Sequence, residues 1–132
     1  MFLVCGSQAD RADRNKVTLL KLTDLHKTHQ NADSDDEASD AGDDLDEEPT
    51  LEHINVDHNG GINRIRSMPQ APGIVASMSD TGAVNVFDLS ITLQSMQVKG
   101  PTIAPNANSR RPLFSFRGHR AEGYAIDWSP LR

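Results

Sequence analysis

DHNGGINRIRSMPQAPGIVASMSDTGAVNVFDL, residues 57–89, is the stretch whose reading decides the fold. It contains three apolar pieces, Ile62–Met68, Ile74–Ser79 and Val84–Phe87. Pro69-Gln70-Ala71-Pro72-Gly73 separates the first two, and Ser79-Asp80-Thr81-Gly82 the last two. Gly and Pro stand where a turn needs φ > 0 or a fixed φ. Val84 and Val86 alternate with Asn85 and Phe87, the period of a strand with one face in a core. The stretch predicts three short strands joined by turns.

Its two ends say what the strands belong to. A WD-type propeller blade opens near Gly-His and closes near Trp-Asp, with roughly 40–45 residues per repeat. Asp57-His58 stands for Gly-His here and Phe87-Asp88 for Trp-Asp, so this is a degenerate blade. Upstream, Phe2–Cys5 with Gly6 behind it reads as a strand. Lys16–Leu25 is too short for periodicity to separate strand from helix. Its context favours strand, because both this pair and the pair Ile74–Ser79 and Val84–Leu89 run strand, polar turn, strand and end in Asp-Leu. Thr50–Val56 is a further strand leading into His58. Downstream, FSFRGHRAEGYAIDWSP (114–130) resembles INVDHNGGINRIRSMP (54–69), with His119 answering His58 and Pro130 answering Pro69 at the same offset.

The fold class that follows is all-β: a partial WD-repeat β-propeller of about one and a half to two blades, carrying an acidic insertion. Residues 1–30 are expected to hold strands b and c of an incomplete blade, and 31–50 the insertion. Residues 51–93 would hold strand d and the following WD-type blade. Residues 94–112 read as a loop rich in Pro, Ser and Asn, and 113–132 as strand d and the first strand of the next blade. Blades cannot bury both faces alone. The expectation is therefore a fragment of a longer propeller chain.

The composition fits a piece of a larger structure. Hydrophobic residues make up 36% and aromatics 5% of 132 residues, which is thin for a free-standing core. The net charge of −6 is unevenly placed, since ten of the nineteen acidic residues lie in DSDDEASDAGDDLDEE (33–48) without a Lys or Arg among them. Such dense like charge with few apolar residues predicts disorder. The carboxylates of Asp33, Asp35, Asp36, Glu37, Asp40, Asp43, Asp44, Asp46, Glu47 and Glu48 would attract a Lys/Arg-rich partner and speed its encounter. Ser34, with Glu37 three residues on, resembles an acidophilic-kinase site, and Ser39 is a weaker one. Phosphate on either would add negative charge. Cys5 is the one cysteine, which excludes a disulfide within the chain. No run approaches the ~18 apolar residues of a membrane span, so no membrane partner is expected.

FLVCGSQAD…LTDLHKT, the acidic run, HNGGINRIRSMPQ and FRGHRAEGYAIDWSP together resemble the glutamate-rich WD-repeat proteins of ribosome assembly, relatives of histone-binding WD proteins. The resemblance covers nearly the whole chain. It implies a seven-bladed propeller, residence in the nucleus and nucleolus, and a role as chaperone for a basic large-subunit ribosomal protein. The alternative it implies is a chromatin-associated, histone-binding protein.

The remaining chemistry is structural in expectation. In WD repeats a His in the Gly-His turn, a Ser of strand b, an Asp of the b–c turn and the Trp of strand c form a hydrogen-bonded relay. His58, Ser77 or Ser79, and Phe87 hold similar places here, with Asp88 after Phe87 and with Gly118-His119 as the second turn. Phe87 has no N–H to donate, so the relay is expected to be incomplete. Asp80 falls one residue early, with Thr81 nearest the expected Asp. His26 with His29, and His53 with His58, have no companion Cys or His at zinc spacing. The acidic run fails as a calcium loop, with Ala38 where Gly is needed and Asp44 where Glu is expected. No motif context supports a catalytic serine or cysteine. The reading is a non-enzyme with no cofactor, metal or small-molecule substrate. The arginines are scattered without aromatic platforms, which argues against direct nucleic-acid binding.

Overall fold

Alternating apolar residues build two antiparallel sheets in the computed structural model, which describes residues 1–25, 49–98 and 111–131. The first sheet has the order β1-β2-β3, from β1 (Phe2–Gly6), β2 (Asn15–Thr23) and β3 (Thr50–His58). The second has the order β4-β5-β6-β7, from β4 (Ile62–Met68), β5 (Ala71–Ser79), β6 (Val84–Asp88) and β7 (Phe114–Phe116). Each sheet is a meander in which chain neighbours pair. The second is a complete four-stranded blade, with β4 to β7 as strands a to d.

Register decides which residues share a face. Val17 pairs with Val56 and Leu19 with Ile54, so all four project from one side of the first sheet. Val75 pairs with Phe87 and Ser77 with Asn85 on the second. These two faces meet. Val17, Val56, Ile62, Val75, Phe87 and Leu89 form one buried cluster spanning both sheets, with Val4 and Ile65 packed against it. Phe87 is 0% exposed at its centre. Burying a ring of this size stabilises by roughly 1.5–3 kcal/mol.

Several boundaries differ from the sequence reading. β5 starts at Ala71, not Ile74, so Pro72 and Gly73 lie inside the strand and only Pro69-Gln70 turns. Pro72 has no N–H for the ladder. A register shift between Ser67 and Met68 absorbs the irregularity, and the Ser67 hydroxyl donates to the Pro72 carbonyl at 2.6 Å.

The expected loop over 94–112 begins instead as a helix, α1 (Ser90–Gln97). Leu89, Leu93 and Met96 recur at helical spacing. Met96 joins Leu19 and Ile54 in a second buried cluster that Phe2 and Leu93 flank. The Asp88 carboxylate accepts from the Ser90 N–H at 2.9 Å and starts the helix. Tertiary burial thus turns a polar-looking connection into a helix that plugs one end of the gap between the sheets.

The first strand expected for a next blade, within 113–132, pairs in no ladder among the described residues. Single side-chain hydrogen bonds to the second blade hold that segment instead. Asn63 donates to the Gly123 carbonyl at 3.3 Å, the Trp128 indole to Arg66 O at 2.9 Å, and Gln70 to Ser129 O at 3.1 Å. The segment therefore runs alongside β4 in the same direction.

Candidate functional site

The end of β3 delivers His58 into the gap between the sheets, where it is 4% exposed. Gly60 makes the turn behind it with φ +88°, a left-handed conformation that costs other residues about 1–2 kcal/mol. A Cβ there would also strike Ser79 Oγ and Asp80 Oδ1. The tight turn brings the Gly60 carbonyl to 2.9 Å from His58 Nδ1. A carbonyl only accepts, so Nδ1 carries the proton and Nε2 of the neutral ring accepts. Ser77 Oγ is 2.9 Å from Nε2 and Asn85 Nδ2 is 3.3 Å away, both as donors. The Ser115 hydroxyl in turn donates to Asn85 Oδ1 at 2.6 Å.

These partners lie in a straight row. Ser77 of β5 pairs with Asn85 of β6, and Asn85 pairs with Ser115 of β7. One hydrogen-bonded chain thus ties the β3–β4 turn to three strands of the next blade. The Phe87 ring lies beside it, 5.9 Å from the imidazole and tilted by 41°. Burial pushes the His58 pKa below its ordinary range, against the opposing effects of the Gly60 carbonyl and the Asp80 carboxylate.

The site settles which serine serves the relay. It is Ser77; Ser79 instead holds the b–c turn, where its hydroxyl donates to Asn59 O at 3.2 Å and accepts from the Thr81 N–H at 3.2 Å. Phe87 donates nothing, as its chemistry requires. The donor comes from Asn85, two residues earlier on the same face, which sequence reasoning passed over. Its signal was a polar residue on the inward face of an otherwise apolar strand. The Gly60 carbonyl takes the acceptor place that an Asp would fill. Asp88 does not join the relay; its carboxylate accepts from the Ser90 N–H at the start of α1.

The second turn is built differently. Gly118 and His119 follow β7 and are exposed. His119 meets Phe116 edge-on, with centroids 5.3 Å apart and an interplanar angle of 80°. It shares a polar cleft of about 160 Å³ with the β5–β6 turn, with Asn59, Gly82 and Arg117 among the walls.

The acidic run from Asp33 to Glu48, with Ser34 and Ser39, lies outside the described residues. Its anchor points are described. Thr23 and Thr50 are the last register pair of β2 and β3, at the end of the sheet opposite the Asn15–His58 pair. Near this end Lys21 and Glu52 form a part-buried ion pair at 2.8 Å. Among the described residues no group of three His, Cys, Asp or Glu side chains could hold a metal ion.

The two sheets, their meander order and the His–Ser chain between them define the class: a WD-repeat β-propeller segment. Comparison with known proteins narrows this. The chain is 38% identical over 136 residues to "Ribosome assembly protein rrb1" of Schizosaccharomyces pombe, which covers 99% of the chain. It is 43% identical over 140 residues to "Glutamate-rich WD repeat-containing protein 1" of Dictyostelium discoideum, which covers 98% of it. A third relative, "Protein HEAT STRESS TOLERANT DWD 1" of Arabidopsis thaliana, is 35% identical over 156 residues. No family model matches the chain. These likenesses are in keeping with the glutamate-rich WD-repeat family, and the chain spans 27%, 28% and 32% of these three relatives.

Proposed function

We propose that this chain is a WD-repeat interaction segment acting in ribosome biogenesis, in the nucleus and nucleolus. Its role there is chaperone or assembly factor for a basic large-subunit ribosomal protein. The observation that carries the reading is the 38% identity over 99% of the chain to a protein named for ribosome assembly. The ten carboxylates between Asp33 and Glu48 support a basic client, because they offer long-range attraction with no cation among them. They leave the first sheet between Thr23 and Thr50, so the two blades serve as their mount. The chain acts by binding rather than by catalysis, and the His58 relay is structural. Phosphate on Ser34 or Ser39 would strengthen the same electrostatic attraction.

The test is a pull-down from cell extract with the chain and with a variant lacking residues 33–48, at two salt concentrations, read by mass spectrometry. The expected result is one basic large-subunit ribosomal protein, lost on deletion and at high salt, since exposed charges are screened within ~8–10 Å. Recovery chiefly of histones would replace the ribosomal client with a chromatin one. Equal recovery with and without the acidic run would remove that run from the mechanism.

A further inference from the structure

We propose that the cleft shared by the β5–β6 turn and the turn at His119 binds a tetrahedral oxyanion, a phosphate group or its sulfate analogue. The cleft holds about 160 Å³, and Asn59, Thr81, Gly82, Asn85, Arg117 and His119 line it. No carboxylate is among its walls. At ~30 Å³ per water this is the room of about five waters, enough for one phosphate group with bridging water and too little for a nucleotide. The residues around it carry groups that donate to oxyanions: a guanidinium, an imidazole, a hydroxyl and two amides. Gly82 fixes how closely the two turns approach. It takes φ +79°, and a Cβ added there would lie 2.8 Å from the Ala121 carbonyl.

The balance of charge singles out Arg117. An adjoining cleft of about 500 Å³ shares Asn59, Asn85 and Arg117 with this one, and its walls carry two carboxylates, Asp13 and Asp57. Both already have cations: Asp13 pairs with Arg11 at 2.9 Å, and Asp57 pairs with Lys16. Asp80 stands on the β5–β6 turn but not in the wall of the smaller cleft. Among the described residues Arg117 enters no ion pair. The His119 ring has its edge contact with Phe116 and no hydrogen-bond partner there. Two donor groups without partners thus line a cleft without an anion. A phosphate offers the planar Arg117 fork two oxygens at once, which a chloride cannot. The cleft lies at the His58 end of β3, opposite the end where the acidic run joins, so this site stands or falls apart from the proposed basic client.

The test is an NMR titration of the whole chain with sodium sulfate, inorganic phosphate, O-phosphoserine and acetate at constant pH, with sodium chloride at matched ionic strength as the blank. The expected result is that the Thr81 and Gly82 amides and the His119 ring shift together, and saturate only with the tetrahedral anions. Arg117→Gln is expected to weaken binding ~10-fold or more, and Arg117→Lys by less, since it keeps the charge and loses the fork. Arg120→Gln, which removes an exposed charge outside the cleft wall, should leave binding unchanged. Tighter binding of O-phosphoserine than of inorganic phosphate would make the ligand a phosphorylated side chain, and equal binding a free oxyanion; either supports the site. The proposal is overturned if no tetrahedral anion saturates the shifts, if chloride or acetate reproduces them, or if Arg117→Gln and Arg120→Gln act alike.

Discussion

The turn at His58 and the turn at His119 are copies of one motif with opposite fates. Both histidines follow a d-type strand, β3 in one case and β7 in the other. His58 is buried and joined to Gly60, Ser77 and Asn85, whereas His119 is exposed and touches only the edge of Phe116 among the ring contacts described. The difference lies in what packs on them. β4, β5 and β6 fold against the His58 turn and supply its partners. The segment after His119 runs along β4 and pairs in no ladder among the described residues. In the described residues the histidine with buried partners is the one over which β5 and β6 close.

The comparison breaks most visibly at the aromatics. Phe87→Ala is expected to cost about 3–5 kcal/mol, the range for emptying a fully buried ring site. Phe116→Ala, at a ring 46% exposed, should cost less than half as much. Urea unfolding with unchanged slope measures both. Equal losses would show that the two sites are not packed differently.

Next in size is the imidazole itself. His58→Ala leaves the Gly60 carbonyl and Ser77 hydroxyl without the ring, and each unsatisfied buried group costs about 1–3 kcal/mol. His119→Ala removes only an edge contact, worth about 0.5–1.5 kcal/mol. The same denaturation series decides whether the order holds.

The glycines behind the histidines give a smaller contrast. Gly60→Ala meets a left-handed backbone, at about 1–2 kcal/mol, as well as the Ser79 and Asp80 side chains. At Gly118 an added Cβ would meet only the Phe116 ring, which can swing into solvent. Thermal melts should rank Gly60→Ala below Gly118→Ala.

The smallest effect sharpens the comparison through pH. The folded pKa of His58 is depressed, so its contribution to stability is present above the unfolded value of about 6.5. It is lost as pH falls from there through the lowered folded value, because the unfolded chain binds the proton more readily. Stability measured from pH 7.5 downward should therefore decline in the wild type by more than in His58→Gln. If the two curves run parallel, His58 does not titrate differently on folding.

Much of the fold was legible in the sequence because its signals are local. The alternation of Val84 to Phe87, the turn at Pro69 and the two strand–turn–strand pairs hold in the two meanders, although β2 ends at Thr23, short of the expected Asp24-Leu25 end. Helix α1 was hidden by its composition. Ser, Thr and Gln dominate it, and only Leu89, Leu93 and Met96 carry the helical period, with Met96 gaining its burial from Leu19 and Ile54 of the other sheet. Asn85 was hidden for a different reason: alternation marks it as inward, but nothing local says that an inward amide will face a histidine 27 positions earlier.

The sequence by itself determined the kind of protein. Strand period, turn residues and the His and Phe-Asp marks are properties of a few consecutive residues, and neighbouring backbone sterics enforce them. The tertiary structure alone decided that Ser77 rather than Ser79 serves His58 and that Asn85 stands in for a missing indole donor. Those outcomes depend on register across strands and on which face of one sheet meets the next. Neither is written in any short stretch of chain.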